Sequence, residues 1–407
     1  MNAVVLGNGR SGTAAATLLK RNGWNVRILD GNDSWPDGAW DLCVTSPGIP
    51  LTHPWQVSAR TVGVPVVSEL QLGAEHFRAL GGRMLAVTGS KGKSSVVKLV
   101  ADALGGVPCG NYGKPLCEVV LDFVLSTPHA PPPWAVVEVS SFQMETTSLP
   151  PDTFEAAAVL NLQEDHLDRH GATAVYHGLK RKLLDFARVK IMGTDPSCVG
   201  TDPELVEKAV ALFAKSYFDN SILCNNGICA VALLRAAGAD EGTIRAAFAR
   251  FEPLPHRMQT IGRFGGVTWI DDSKATSIAA LVAGVTMAAT RFSSLGSVPT
   301  REGPVPMVHL IAGGLPKGDD LFVAREILAK WVKRVYLIGQ STPMMEAAWK
   351  DVVSCERCGT LEHAVTAARG AAKEGECILL SPGAASFDQF KSYGERGDRF
   401  ASLGRSS

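Results

Sequence analysis

Apolar and polar residues alternate along this chain on two length scales. Short runs of Val, Ile, Leu and Ala are each followed by a longer stretch in which apolar positions return every three or four residues. The first pattern marks strands buried on both faces, the second helices with one buried stripe. Strands are predicted at Ala3–Leu6, Asn25–Leu29, Met84–Val87, Ala135–Val139 and Ala157–Leu162, with a weaker one at Leu42–Thr45. In the last third they are predicted at Val267–Ile270, Met307–Ala312, Val335–Ile338 and Cys377–Leu380. Helices are predicted over Thr13–Asn22 and Lys93–Leu104. Such alternation builds mostly parallel sheets with crossover helices.

Two breaks interrupt the rhythm. Gly81-Gly82 precedes the strand at Met84, and two prolines follow a helical stretch near Phe251–Pro255. The prediction is three α/β domains, residues 1–81, 82–253 and 254–407. Arg291–Pro306, rich in Ser, Gly and Pro, reads as a surface loop.

Composition narrows the function. Forty Lys and Arg balance forty Asp and Glu, so no global positive charge exists to neutralise a nucleic-acid backbone. No apolar run approaches the ~20 residues that span a bilayer, and the N-terminus enters a strand pattern without a basic leader. The expectation is a cytoplasmic protein with neither nucleic-acid nor membrane partners. The nine cysteines are scattered, as for reduced thiols, and the single CxxC, Cys355 and Cys358, has no matching second pair.

Five constellations could carry chemistry. Gly7-Asn8-Gly9-Arg10-Ser11-Gly12 lies between strand and helix, with Asp30 ending the next strand. This GxGxxG fits a nucleotide phosphate at a helix N-terminus, NAD included, and equally fits close packing of helix on strand. Gly89-Ser90-Lys91-Gly92-Lys93-Ser94-Ser95 follows a strand and opens a helix. Its backbone N–H groups can cradle phosphates, Lys93 can reach them, and Ser94 can ligate Mg²⁺, although the spacing is shorter than a Walker A loop. Glu138 sits within valines, where a carboxylate needs a partner or a metal. Asp165, His166, Tyr176 and Lys180 follow another strand end, where parallel sheets bind ligands; His166 alone fits a helix cap as well as a metal ligand. In the last third, Leu254-Pro-His-Arg257, Asp271-Asp272-Ser-Lys-Ala-Thr276, Gly313-Gly314-Leu-Pro-Lys317 and Ser381-Pro-Gly-Ala-Ala-Ser386-Phe387 form the fifth set, the last three directly after strands.

Taken together, TGSKGKSS at 88–95, GNYGKP at 110–115, EVSSFQMET at 138–146, NLQEDHLDRH at 161–170, LPHR at 254–257, DDSKATS at 271–277 and SPGAASFDQFKSYGERG at 381–397 resemble the Mur ligase family, most of all its glutamate-adding members. The resemblance spans nearly the whole chain. It implies a Rossmann-like UDP-binding domain, a central ATPase domain and a Rossmann-like C-terminal domain that closes over ATP. It implies ATP-dependent amide ligation through an acyl phosphate, with UDP-N-acetylmuramoyl-alanine and glutamate as substrates and a monomer as the working form. By motif, Gly89, Gly92, Lys93, Ser94 and Ser95 would hold ATP phosphates, with Asn226, Arg257 and Asp272 also on ATP. Two Mg²⁺ ions would be held by Ser94 and Glu138, and by His166 with a carbamylated Lys180. Arg10, Ser11, Asp30, Ser46, Pro47, Gly48 and Asn111 would bind the UDP substrate. Thr276, Lys317, Ser386 and Phe387 would hold glutamate.

The chain departs from the family pattern in four places. The segment from Lys180 to Pro253 is short, and the adenine-contacting HNxxN appears as Leu223-Cys224-Asn225-Asn226. Lys91 replaces the usual Asn of the phosphate loop, and Asn32 stands where an arginine is common. Two other readings compete. An NAD-dependent dehydrogenase rests on GxGxxG and Asp30 alone, and a non-catalytic family member on the shortened centre.

Overall fold

The computed structural model describes residues 1–126, 132–193, 203–220, 222–293 and 307–406. The chain divides into two compact units, Met1–Phe251 and Glu252–Ser407. The part of the expected loop from Ser294 to Pro306 lies outside the described residues; Arg291–Ser293 still belong to a helix, Ile278–Ser293.

The first unit contains two parallel sheets. One is built from β1 (Asn2–Leu6), β2 (Asn25–Leu29), β3 (Leu42–Thr45) and β4 (Val66–Ser68), in the order β2-β1-β3-β4. The other is built from β5 (Met84–Thr88), β6 (Val107–Gly110), β7 (Ala135–Glu138), β8 (Phe154–Val159) and β9 (Ala187–Met192), in the order β6-β7-β5-β8-β9. The central strands β5 and β7 are buried at every position, so their sequences are unbroken apolar runs apart from the last residue of each, Thr88 and Glu138. Val87 pairs with Glu138, which sets that carboxylate beside the loop leaving β5.

The two sheets share one hydrophobic core. Ala15 and Leu19 from the helix Arg10–Arg21, Leu70 and Phe77 from Glu69–Ala79, and Leu116 and Val120 from Leu116–Ser126 lie in it with Ala86 and Val137. Gly73 makes the close approach possible, because a Cβ there would sit 2.9 Å from the Cys117 nitrogen and the Leu116 Cβ. Beside that crossing, the buried Glu69 carboxylate accepts the Cys117 N–H at 2.7 Å.

The second unit has β10 (Gln259–Phe264), β11 (Val267–Asp271), β12 (Val308–Gly313), β13 (Val332–Ile338), β14 (Cys355–Gly359) and β15 (Cys377–Leu380), in the order β10-β11-β15-β12-β13-β14. β10 and β11 pair antiparallel; the remaining pairs are parallel. Since β11, β15 and β12 are neighbours, the loops leaving their carboxyl ends lie side by side.

Most expected strands are found, with shifted ends. β8 runs Phe154–Val159 rather than Ala157–Leu162, because Leu160 and Asn161 turn away to brace the neighbouring loop. Cys355 and Cys358 lie on the edge strand β14, and burial pushes both thiols up to about 11. They are ordinary protonated cysteines at neutral pH.

One glycine of the first motif is there for packing. A methyl group at Gly12 would run into the Gly7 carbonyl oxygen, a backbone atom that cannot swing aside as a flexible side chain can. Gly178, within the helix Thr173–Lys182, faces open space. Gly12→Ala should therefore lose stability by about 1–3 kcal/mol, whereas Gly178→Ala should gain roughly 0.5–1 kcal/mol. Equal urea midpoints for the two variants would contradict this account of Gly12.

Candidate functional site

The loop after β5 is a braced anion cradle. Gly89 and Gly92 both have positive φ, 150° and 83°, and Gly92 starts the helix Lys93–Leu104 with no side-chain cap. A helix start without a side-chain cap is the kind of terminus at which anions bind. Asn161 clamps the loop from below: its Nδ2 donates to the Lys91 carbonyl at 2.9 Å and its Oδ1 accepts the Lys91 N–H at 2.8 Å. Ser90 exchanges hydrogen bonds with the Gln163 backbone at 2.9 and 3.0 Å. Asn226 is buried against Gly92 and accepts from Asn161 at 3.4 Å, so the structure places it under the phosphate loop.

Charged groups converge on this loop. Lys93 Nζ donates to the Gly89 carbonyl at 2.7 Å and to that of Ser90 at 3.2 Å. Lys180, 2% exposed, donates to the same Gly89 carbonyl at 3.0 Å and lies over the Tyr176 ring at 4.5 Å. Burial pushes Lys180 down to about 7, and the Lys93 charge pushes the same way against Asp165 and Glu138.

Glu138 is buried, and its Oε1 accepts the Asn111 amide at 2.7 Å. Its Oε2 is buried without any hydrogen-bond donor. A carboxylate oxygen in that condition suits a cation, and Ser94, also buried, opens the adjoining helix. Among the described residues no three His, Cys, Asp or Glu side chains form a ready metal cage. The donors present, an open carboxylate oxygen and a hydroxyl, fit Mg²⁺, which commonly takes one or two protein ligands and completes its shell with substrate phosphates and water. His166 has φ 53° at the head of the short helix Leu167–His170, and its half-exposed ring rests near Phe142 and Tyr176, centroids 4.9 and 6.1 Å away. His166 and Lys180 thus meet the same Tyr176 ring. Lys91 pairs with Asp165 at 3.5 Å.

In the first sheet, the Ser46 hydroxyl is buried without a partner and faces Gly7 and Gly12. Arg10 is engaged by Glu118 at 3.1 and 3.3 Å and by the Gly113 carbonyl at 2.9 Å. Ser11 sits on the first turn of the helix, and exposed Asp30 accepts the Gly31 N–H.

In the second unit, Arg257 closes a turn onto Leu254, and His256 beside it bonds Asp271 at 2.7 Å. Asp272 accepts the Met258 N–H at 3.1 Å and the Ser381 hydroxyl at 2.9 Å. Lys317 Nζ donates to Thr276 Oγ1 at 3.3 Å. Leu315 and Ala385 form a two-way bridge, which lays the Lys317 loop along the segment bearing buried Ser386 and exposed Phe387.

Sequence reasoning missed the hub of this unit. Arg396, 1% exposed, donates to the Ser273 hydroxyl and carbonyl at 3.0 and 2.9 Å, to the Ala384 carbonyl at 3.2 Å and to that of Ala385 at 3.4 Å. It ties the loops after β11 and β15 together. Its place in the motif SYGERG was the available signal.

A model of the Mur ligase middle domain matches residues 87–201. The UDP-N-acetylmuramoylalanine--D-glutamate ligase of Sphingopyxis alaskensis is 33% identical, covering 97% of this chain and 95% of the relative. The enzyme of the same name from Aquifex aeolicus is 32% identical, covering 99% and 98%. Among solved structures, the UDP-N-acetylmuramate-alanine ligase MurC of Thermotoga maritima superposes with a TM-score of 0.56 over 100% of this chain and 99% of its own, at 15% identity. The MurF ligase of the same organism, in complex with ADP, gives 0.57 over 98% and 93%, at 14% identity.

Asp272 generates a pH prediction. Burial raises its carboxyl to about 7, outweighing its two hydrogen bonds and the Arg257 charge. Between pH about 4 and 7 the folded protein keeps a proton that the unfolded chain has released, so its contribution to stability is lost as pH rises. Asp272→Asn keeps donor and acceptor geometry but cannot titrate. Its denaturant midpoint relative to the parent should rise between pH 4.5 and 7.5, and a pH-independent difference would refute the buried-acid account.

Proposed function

Because the chain belongs to the Mur ligase family, we propose that it is the ATP-dependent, ADP-forming ligase that joins D-glutamate to UDP-N-acetylmuramoyl-L-alanine in peptidoglycan precursor synthesis. The observation that carries this reading is the near full-length match to glutamate-adding relatives, together with an unsatisfied buried carboxylate beside a lysine-bearing phosphate loop. The acceptor's terminal carboxylate takes the γ-phosphoryl group of ATP and ADP leaves; the glutamate amine then attacks the acyl carbon, gives up a proton and expels inorganic phosphate.

The chain's own residues divide the work. Gly89, Gly92, Ser95 and the first-turn N–H groups receive the phosphates, and Lys93 leaves its carbonyl partners to follow the transferring group. Such preorganised charge is where phosphoryl transfer gains most of its rate. Two Mg²⁺ ions, one held by Ser94 and Glu138 and one by His166 and carbamylated Lys180, would supply neutralisation of the phosphoryl charge when bound. Asn111 orients Glu138 for this and lies toward the acceptor. Asn226 holds the loop under ATP, and Arg257 and Asp272 contact ATP from the C-terminal domain. Arg10, Ser11, Asp30 and Ser46–Gly48 take the UDP part of the acceptor. The first domain, 1–81, thus serves the acceptor, 82–253 serves ATP, and 254–407 serves glutamate and closes over ATP. No helix among the described residues is long and apolar enough to cross a membrane, and we place the enzyme in the cytoplasm as a monomer.

The carbamate, which the family resemblance implies, is supported by the amine's surroundings. A lysine held near 7 offers a neutral nitrogen at physiological pH, which can attack CO₂ and lose a proton to give a carboxylate-bearing ligand. With ¹³C-bicarbonate the enzyme should show a carbamate resonance that Lys180→Met lacks, and activity should fall in CO₂-depleted buffer. Full activity without CO₂ would remove this assignment.

Glutamate specificity rests on charge. Lys317, Thr276, Ser386 and the Phe387 N–H offer donors to a free carboxylate, and these matched positions bring no acid that would greet a second amine. Turnover with UDP-N-acetylmuramoyl-L-alanine and a panel of amino acids should select D-glutamate. A charge-assisted hydrogen bond is worth about 1.5–3 kcal/mol, so Lys317→Ala should raise the glutamate KM roughly 10–100-fold and the ATP KM much less. Equal turnover with lysine or meso-diaminopimelate would overturn the pocket.

A further inference from the structure

Three residues beyond His166, Arg169 has no role in the scheme above, yet it is among the most constrained cations of the first unit. Its side chain is 14% exposed and forks onto Glu145, itself 6% exposed, at 3.0 and 2.6 Å. The same Nη2 donates to the backbone carbonyls of Pro47 at 3.4 Å and Ile49 at 3.2 Å. The guanidinium also lies over the Phe142 ring, 4.9 Å from its centroid. Next to it, His170 meets Ser141 at 3.0 Å and Glu145 at 3.4 Å.

The geometry joins three segments. Glu145 and Phe142 belong to the turn after β7, Arg169 to the four-residue helix that His166 opens, and Pro47 and Ile49 to the loop after β3. A helix that short has no stability of its own and takes its position from such partners. Planar bidentate pairing suits arginine, and a lysine cannot reproduce it. The half-buried pair is satisfied by its own fork and the loop carbonyls, so the loop is fixed relative to the His166 turn.

We propose that Arg169 is a positioning residue. It locks the Ser46–Ile49 loop to the His166 turn and so sets where the nucleotide-sugar acceptor is held relative to the phosphoryl-transfer site. This rests on the assignment of Ser46–Gly48 to the acceptor.

The test uses the full chain with Arg169→Lys, Glu145→Gln and Ser46→Ala, each checked for native circular dichroism. Binding of UDP-N-acetylmuramoyl-L-alanine and of a non-hydrolysable MgATP analogue is titrated separately, and both KM values are measured. Misplacing a reactant by about an ångström can cost up to ~100-fold in rate, so Arg169→Lys should lower kcat as well as raise the acceptor Kd and KM. The nucleotide Kd should stay within about twofold, and Glu145→Gln should shift the acceptor alone, by less. A general structural role would weaken both ligands together, and that result, or an unchanged acceptor Kd in folded Arg169→Lys and Glu145→Gln, overturns the proposal. Ser46→Ala separates the two readings. If it weakens the acceptor while the Arg169 and Glu145 variants do not, the loop assignment stands and this inference fails; if no variant alters acceptor binding, both fall.

Discussion

Two lysine side chains donate to one carbonyl oxygen, that of Gly89. Two cations this close are tolerable only if one gives up its charge or if an anion arrives. Burial has moved Lys180 toward neutrality, and Lys93 is parked on backbone acceptors that a phosphate can replace. The loop, its glycines and the Asn161 clamp all serve to hold that carbonyl where both lysines reach it. Glu138 completes the arrangement from the neighbouring strand, with one oxygen satisfied and one left open. The site thus presents two lysines at the loop and an open carboxylate oxygen at Glu138, the complement of a magnesium–phosphate pair.

The second unit solves a different problem. Here the loops after β11 and β15 are satisfied internally, with Arg396 supplying donors to both and Asp272 accepting from Met258 and Ser381. A buried guanidinium with its hydrogen bonds filled is expensive to disturb, since removing its partners strands a charge in the interior. Such loops are preorganised rather than waiting, as suits any pocket that binds through fixed donors.

The two kinds of structure were not equally legible in the sequence. The central strands β1, β5, β7 and β15 announce themselves as apolar runs because both faces are covered. Two edge strands were missed for the same physical reason reversed: β9 carries Arg188 and Lys190, and β14 carries Glu356 and Arg357, which keep part of each strand in solvent. Motif glycines and lysines could be read because their chemistry is local. Arg169 and Arg396 could not, because what buries them lies far off in sequence, Pro47 122 residues away and Ser273 123. A charged residue reads as solvated until its partners are known, and no periodicity reveals them. Asn161 sat inside a recognised motif but had no assigned task until its two bonds to Lys91 were visible.

The same contrast explains where binding energy must act. In the first unit Lys93 and Lys180 rest on backbone carbonyls that a phosphate can replace, and exposed pairs such as Lys91–Asp165 contribute little. An incoming anion would therefore meet groups already oriented, and would exchange hydrogen bonds with them one for one. Arg169 and Glu145 are different, a half-buried bidentate fork tied to two loop carbonyls as well. Placing the strong pair at the joint between the loop and the His166 turn, and the weak ones at the phosphates, lets the ligand rearrange side chains without moving the frame that aligns them.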